Sequence, residues 1–200
     1  MRVGVFGGTF DPPHVGHLLV AHDAVEQLAL DRLVFVPAAT QPLKAGAIAA
    51  DDVTRLAMTR LLVGDEPRFA VDPIEIDRGG LSFMVETLGA LATRWADAEL
   101  FLLVGADVLQ TFDRWRQPER VRSLATLVVL TRRDGRDAAD VTEDAGTAPA
   151  LVGGEPRRLA TRRVDVSSTE IRARVRAGQS IRGFVPESVA DFIRSAGLYR

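Results

Sequence analysis

Gly7-Gly8-Thr9-Phe10-Asp11-Pro12-Pro13-His14-Val15-Gly16-His17 follows an apolar run, Val3 to Phe6, and opens an amphipathic helical run, Leu18 to Leu28. That order predicts a strand, a tight turn and a helix start. Two glycines let the backbone bend sharply and approach a ligand closely, and a helix that begins just beyond them presents unpaired N–H groups and a positive dipole end to an anion. A phosphate suits both features. His14 and His17 lie three residues apart near this helix start, so both imidazoles can project to one side of the first turn and add side-chain donors.

Working outward, apolar runs bounded by turn signals recur at Val3 to Phe6, Leu33 to Val36, Leu100 to Val104 and Leu127 to Leu130, with helical spacing of apolar residues between them. This alternation predicts crossover helices and a mainly parallel sheet, an α/β fold of Rossmann-like, doubly wound type. Leu100 to Val104 and Leu127 to Leu130 are continuously apolar, as strands buried on both faces should be. Such a sheet binds ligands beyond the carboxyl ends of its strands. There the sequence places the histidine stretch, Pro37 to Lys44, Gly105-Ala106-Asp107, and Thr131 to Arg133.

Two hundred residues, 46% of them hydrophobic, suffice for one well-buried domain, spanning 1–200 with a small C-terminal helical annex over 167–200. A formal net charge of −2 gives no basic field for a nucleic-acid backbone. The chain has no cysteine, which excludes disulfides, thiolate metal sites and thiol nucleophiles. No secretory leader and no membrane-length apolar run is present, so a cytoplasmic protein is expected. Whether it forms a homo-oligomer is left open. Residues 134–156 lack a persistent period and read as a mobile insertion. Arg162 to Val166 suits a strand, Ser167-Ser168-Thr169-Glu170 a helix start, and Val185-Pro186-Glu187 the start of a last amphipathic helix through Ile193.

The stretch GGTFDPPHVGH resembles the nucleotidyltransferase superfamily with its T/H-x-G-H pattern, and in its fuller form the bacterial nicotinate mononucleotide adenylyltransferase family. The resemblance runs from Met1 to about Arg133 and resumes from Val164 to Gly197-Leu198-Tyr199-Arg200. It implies adenylyl transfer from ATP to nicotinate mononucleotide, giving deamido-NAD and pyrophosphate in NAD biosynthesis. The acceptor phosphate is already an anion, so no general base is required, and catalysis is positioning plus neutralisation of charge by cationic donors, N–H groups and Mg²⁺ carried mainly by the ATP phosphates and water.

The resemblance assigns His17 to the α-phosphate in the transition state, His14 to the triphosphate, and Gly7, Gly8, Thr9 and Phe10 to the ATP turn. Lys44 looks like the phosphate-contacting lysine of the family's P-P-H-K loop, although Leu43 stands where that pattern has histidine, and a solvated loop lysine is the alternative. Gly105 and Asp107 match a G-x-D whose carboxylate would bond the ribose; a helix-capping Asp is the plainer reading. Ser167, Ser168, Thr169 and Arg172 resemble a second phosphate-binding helix start, and the same residues also read as an ordinary capping box. Arg133 matches an arginine at a strand-R-P-G corner, with Asp134 in place of proline.

On the acceptor side, Ser82, Phe83, Met84 and Thr87 resemble the family's G-x-S/T-Y-T-x-x-T-L, with Phe83 replacing Tyr and Met84 replacing Thr. Trp115 sits where a tryptophan stacks on the pyridine ring, or else serves as core, and Arg116 replaces an aromatic or polar neighbour. A zinc pair on His14 and His17 would need a third ligand from His22 or Asp23, poorly aligned on a helix, so no protein-held metal is expected. Nicotinamide mononucleotide as acceptor, less readily phosphopantetheine, and a silent nucleotide sensor are the alternatives.

Overall fold

The computed structural model describes residues 1–40, 49–109, 111–132, 156–162 and 164–200. Lys44, Arg133 and the insertion expected at 134–156, apart from Pro156, lie outside them. The strands are β1 (Arg2–Gly8), β2 (Arg32–Pro37), β3 (Phe69–Val71), β4 (Glu99–Gly105), β5 (Thr126–Arg132) and β6 (Arg157–Thr161). The helices are α1 (Val15–Gln27), α2 (Asp52–Val63), α3 (Ile74–Arg78), α4 (Met84–Arg94), α5 (Ala106–Leu109), α6 (Pro118–Leu124), α7 (Ser168–Arg176) and α8 (Glu187–Ser195), with a 3₁₀ turn at Phe112–Arg114. Strand order is β3-β2-β1-β4-β5-β6, the doubly wound arrangement, and β1, β4, β5 and β6 pair in parallel. Among the described residues no helix is long and apolar enough to cross a membrane.

Backbone proximity resolves two compact units. One comprises Met1–Gly7, Val20–Val34 and Phe83–Arg163. Its centre is β4, whose Leu100, Phe101, Leu102, Leu103 and Val104 are all buried, as a strand covered on both faces requires. A Cβ at Gly4 of β1 would meet Leu30 Cδ1 at 2.6 Å, so glycine lets the chain just after α1 close onto the sheet. The other unit comprises Gly8–Leu19, Phe35–Ser82 and Val164–Arg200, which groups the histidine stretch with the C-terminal helices. In it α2 packs on β3 and α8.

Two boundaries differ from the sequence reading. α1 begins at Val15 rather than Leu18, so His17 stands inside its first turn. The strand expected at Arg162 to Val166 lies five residues earlier, at Arg157–Thr161, where Leu159, Ala160 and Thr161 are buried against β5. Arg162 instead leaves the sheet. Its backbone N–H donates to Asp23 Oδ2 at 2.8 Å and its Nε lies 3.1 Å from Asp23 Oδ1, which ties the end of β6 to α1.

Asp23 is buried while the Arg162 side chain is half-exposed, so the two partners should not be equivalent. Asp23→Ala strands a backbone donor and is expected to cost about 1 to 3 kcal/mol, whereas Arg162→Ala, losing a screened ion pair, should cost about 1 kcal/mol or less. Urea titration of both variants checks the difference.

Candidate active site

The turn after β1 is held by its own backbone and by aromatic packing. Gly8 O accepts the Ala38 N–H at 2.9 Å, which joins the ends of β1 and β2. Phe10 is buried and left-handed, with φ 53°, a conformation that costs a non-glycine residue on the order of 1 to 3 kcal/mol and persists only where packing enforces it. Its ring meets His17 edge-on, with centroids 5.1 Å apart, and also packs on Phe35 at 5.8 Å.

The two imidazoles are brought together, with centroids 3.7 Å apart. The backbone N–H of His14 donates to His17 Nδ1 at 3.1 Å. Because Nδ1 accepts, a neutral His17 carries its proton on Nε2, and the ring is oriented as a donor at that atom. Burial lowers the pKa of His14 to about 4, and burial together with His14 holds His17 well below the ordinary histidine value. At neutral pH both imidazoles are therefore uncharged donors. Gly16 makes this stacking feasible: a Cβ at that position would lie 3.0 Å from His14 Nδ1 and 3.1 Å from Cε1. His14 Nδ1 and Thr9 Oγ1 are buried without a hydrogen-bond partner among the described residues.

The helix start is less open than expected. Val15 N–H is taken by Phe184 O at 3.0 Å, and the His14 N–H by the ring of His17. At the second helix start, Ser167 caps α7 by accepting from the Glu170 N–H at 3.1 Å, and Ser168 donates its hydroxyl to Pro12 O at 2.8 Å. Arg172 donates from Nη1 to Asp11 O at 2.6 Å and from Nη2 to Thr169 Oγ1 at 3.3 Å. The segment thus caps its helix, as the capping reading expects, and it also docks on the histidine turn.

Three residues here escaped the sequence reading. Asp11 accepts N–H groups from Ala49 at 2.7 Å and Ala50 at 3.2 Å, and the Tyr199 hydroxyl at 2.7 Å. Arg55, fully buried, donates to the carbonyls of Thr9, Ala39 and Ala50 and so fastens the turn to the chain after β2. Burial and the Asp11 carboxylate raise the pKa of Tyr199, keeping it a donor. The available signals were an arginine among the apolar positions of α2 and the chain's one tyrosine.

The residues expected on the acceptor side fall on different elements. Ser82 holds the loop after β2, accepting from Ala39 N–H at 2.9 Å and donating its own N–H to Thr40 O at 2.8 Å. Thr87 is fully buried in α4, on its inward face, and offers no surface to a ligand as it stands. The Met84 methyl packs over Gly7, where a Cβ would come within 2.7 Å of it. Arg116 stacks 4.7 Å over the Phe83 ring and pairs with Glu86 at 2.8 Å. Trp115, half-buried after the 3₁₀ turn, packs against Phe112 at 5.2 Å. Gly105 ends β4, and the backbone of Asp107 lies inside α5 rather than at its cap; the role of its carboxylate lies outside what the structure describes.

The cytidylyltransferase-like family profile matches residues 5–174. A relative from Gemmatimonas aurantiaca, named a probable nicotinate-nucleotide adenylyltransferase, is 54% identical over 204 aligned positions, which cover 100% of this chain and 93% of that protein. One of the same name from Clostridium beijerinckii is 40% identical, covering 100% and 99%. Among solved structures, Plasmodium falciparum nicotinic acid mononucleotide adenylyltransferase complexed with NaAD superposes with a TM-score of 0.73 at 14% identity, covering 99% of this chain and 97% of that one, and so shares the fold.

Both imidazoles should remain uncharged at pH 6, His14 titrating only near pH 4, as followed by histidine carbon-bound proton resonances. Since the unfolded chain protonates this residue at about 6.5, its contribution to stability is complete above that value and is lost as pH falls toward 4. Gly16→Ala should leave the fold intact, displace the His14 ring, and lower turnover about tenfold or more through misplacement of the donor; melting temperature and kcat together separate the two effects.

Proposed function

Because the chain belongs to the cytidylyltransferase-like family, we propose that it transfers the adenylyl group of ATP to nicotinate mononucleotide, giving deamido-NAD and pyrophosphate. The observation that carries this reading is the full-length agreement with relatives of that name, at 54% and 40% identity. In the reaction, a phosphate oxygen of the mononucleotide attacks the α-phosphorus in line. The new O–P bond forms as the bond from that phosphorus to the bridging oxygen breaks, and pyrophosphate leaves with the electron pair.

His17 Nε2–H, oriented from the other side of the ring by the His14 N–H, donates to the α-phosphoryl oxygen as charge builds there. His14 and Thr9, whose Nδ1 and Oγ1 lack hydrogen-bond partners among the described residues, meet the triphosphate together with Gly7, Gly8 and the Phe10 backbone. Arg172 and the backbone at the start of α7, with Ser167, Ser168 and Thr169 fixing its conformation, form a second anion contact. Lys44, Arg133, Gly105 and Asp107 complete the ATP contacts in this reading. Among the described residues no three acidic or histidine side chains converge, so the donor set fits a Mg²⁺ that arrives on the triphosphate with water, not one caged by protein. Bound there, Mg²⁺ would neutralise phosphate charge.

Trp115 stacks on the pyridine ring of the acceptor, beside Phe83, Met84 and Ser82. Recognition of the nicotinate carboxylate falls on backbone N–H groups at the start of α4, with Arg116 assisting. Because Arg116 is held by Glu86, it reaches an acceptor carboxylate only by leaving that partner. This observation favours nicotinamide mononucleotide as the second reading.

His17→Ala should lower kcat about a hundredfold or more while ATP binding stays close to wild type. Turnover within tenfold of wild type would remove His17 from the chemistry. A panel of acceptors with ATP and Mg²⁺ tests the substrate: kcat/KM should favour the acid, and Met84→Thr, restoring a hydroxyl, should widen the preference by about tenfold. A wild-type preference for the amide would establish the second reading instead.

A further inference from the structure

Asp11 lies in the centre of the nucleotide turn, only 2% exposed, with two guanidinium groups close by. A carboxylate so placed ordinarily takes an arginine as a charge-assisted, often two-pronged partner. Here neutral donors occupy it first. Oδ2 accepts the Ala49 N–H, and Oδ1 accepts both the Ala50 N–H and the Tyr199 hydroxyl. Arg55 is directed to three backbone carbonyls. Arg172 donates to the Asp11 carbonyl oxygen at 2.6 Å and meets the carboxylate only in a long ion pair, 3.9 Å from Oδ2.

Tyr199 comes to this point from the far end of the chain with φ 61°, a left-handed conformation that a tyrosine does not hold unaided. The 2.7 Å bond to Asp11 is what its hydroxyl makes there, with Met58 Sδ a distant 3.9 Å. We infer that Tyr199 is a positioning residue for the nucleotide site: by filling Asp11 Oδ1, its hydroxyl keeps the Arg172 guanidinium from closing onto the carboxylate and leaves its charge for the triphosphate. Without that hydroxyl, the buried carboxylate lacks its shortest Oδ1 donor, and the Arg172 guanidinium, already 3.9 Å from Oδ2, closes on the carboxylate to replace it. The charge of Arg172, which among the described residues otherwise meets only the neutral acceptors Asp11 O and Thr169 Oγ1 at hydrogen-bond distance, is then neutralised by the carboxylate when ATP arrives. The inference rests on the reading that Arg172 contacts ATP.

The test measures MgATP binding by calorimetry, without acceptor, for wild type, Tyr199→Phe, Asp11→Asn, Tyr199→Phe with Asp11→Asn, and Arg172→Gln. Tyr199→Phe should weaken binding about tenfold while kcat at saturating ATP changes less than twofold. The double variant should bind more tightly than Tyr199→Phe alone, because a neutral amide does not hold a guanidinium in competition with phosphate. A merely structural tyrosine predicts the opposite, a double variant as weak as the single one or weaker. Binding by Tyr199→Phe within twofold of wild type, or no recovery in the double variant, overturns the inference. If Arg172→Gln binds MgATP normally, the reading of Arg172 falls and the inference with it; if only that variant binds weakly, the inference falls alone. Since Tyr199 is the chain's one tyrosine, uniform 3-fluorotyrosine labelling places a single ¹⁹F reporter on it. Its resonance should shift on addition of MgATP to the otherwise unaltered protein, and an unmoved resonance would also overturn the inference.

Discussion

The contact on which the site depends is a hydrogen bond from a main-chain N–H to an imidazole in the first turn of a helix. It settles which nitrogen of His17 carries the proton, and it makes the ring orientation a property of the backbone rather than of a rotamer. The surroundings follow from it. Gly16 has no side chain because the His14 ring occupies that space, Phe10 adopts a left-handed φ to bring its ring against the edge of His17, and α1 must begin at Val15. An uncharged donor held in a low-dielectric corner costs less to bury than an imidazolium, and it still directs a fixed dipole at an arriving phosphate.

Much of this was legible in the residues themselves. The continuous apolar runs located β1, β2, β4 and β5, and the glycine-histidine stretch identified the corner between β1 and α1. β3 has three residues, too few for any period to show. β6 was displaced because Arg157 to Val166 offers two short windows, Leu159 to Thr161 and Val164 to Val166, separated by Arg162 and Arg163, and the partner Asp23, 139 residues away, fixes where the sheet ends. The capping signal at Ser167 was correct and said nothing of Ser168, whose hydroxyl crosses to Pro12. Asp11 was in view but taken as part of a motif, since its role depends on Ala49, Ala50 and Tyr199, partners that no local spacing brings together.

The acceptor segment shows the same limit from another side. Side-chain identities at Phe83, Met84 and Arg116 were read as lost or altered donors. The geometry adds that the arginine lies flat on the phenyl ring and faces a glutamate, an arrangement in which its charge is already half-satisfied. Replacing a tyrosine by phenylalanine removes a hydroxyl but leaves the face on which the guanidinium rests. The substitutions are therefore not independent of one another.

The register of β1 against β4 places Val3 beside Leu100, so one flank of an interior strand has no partner until nearly half the chain has been made. β2 covers the other flank early. At about 5 to 20 residues per second, a translating ribosome leaves that apolar edge open for on the order of 5 to 20 s, exposed to whatever else can add a strand to it. Yield of this protein in a cell should thus depend less on the stability of the finished sheet than on the pace of synthesis across Leu33 to Leu100, and on chaperones that hold the N-terminal strand meanwhile.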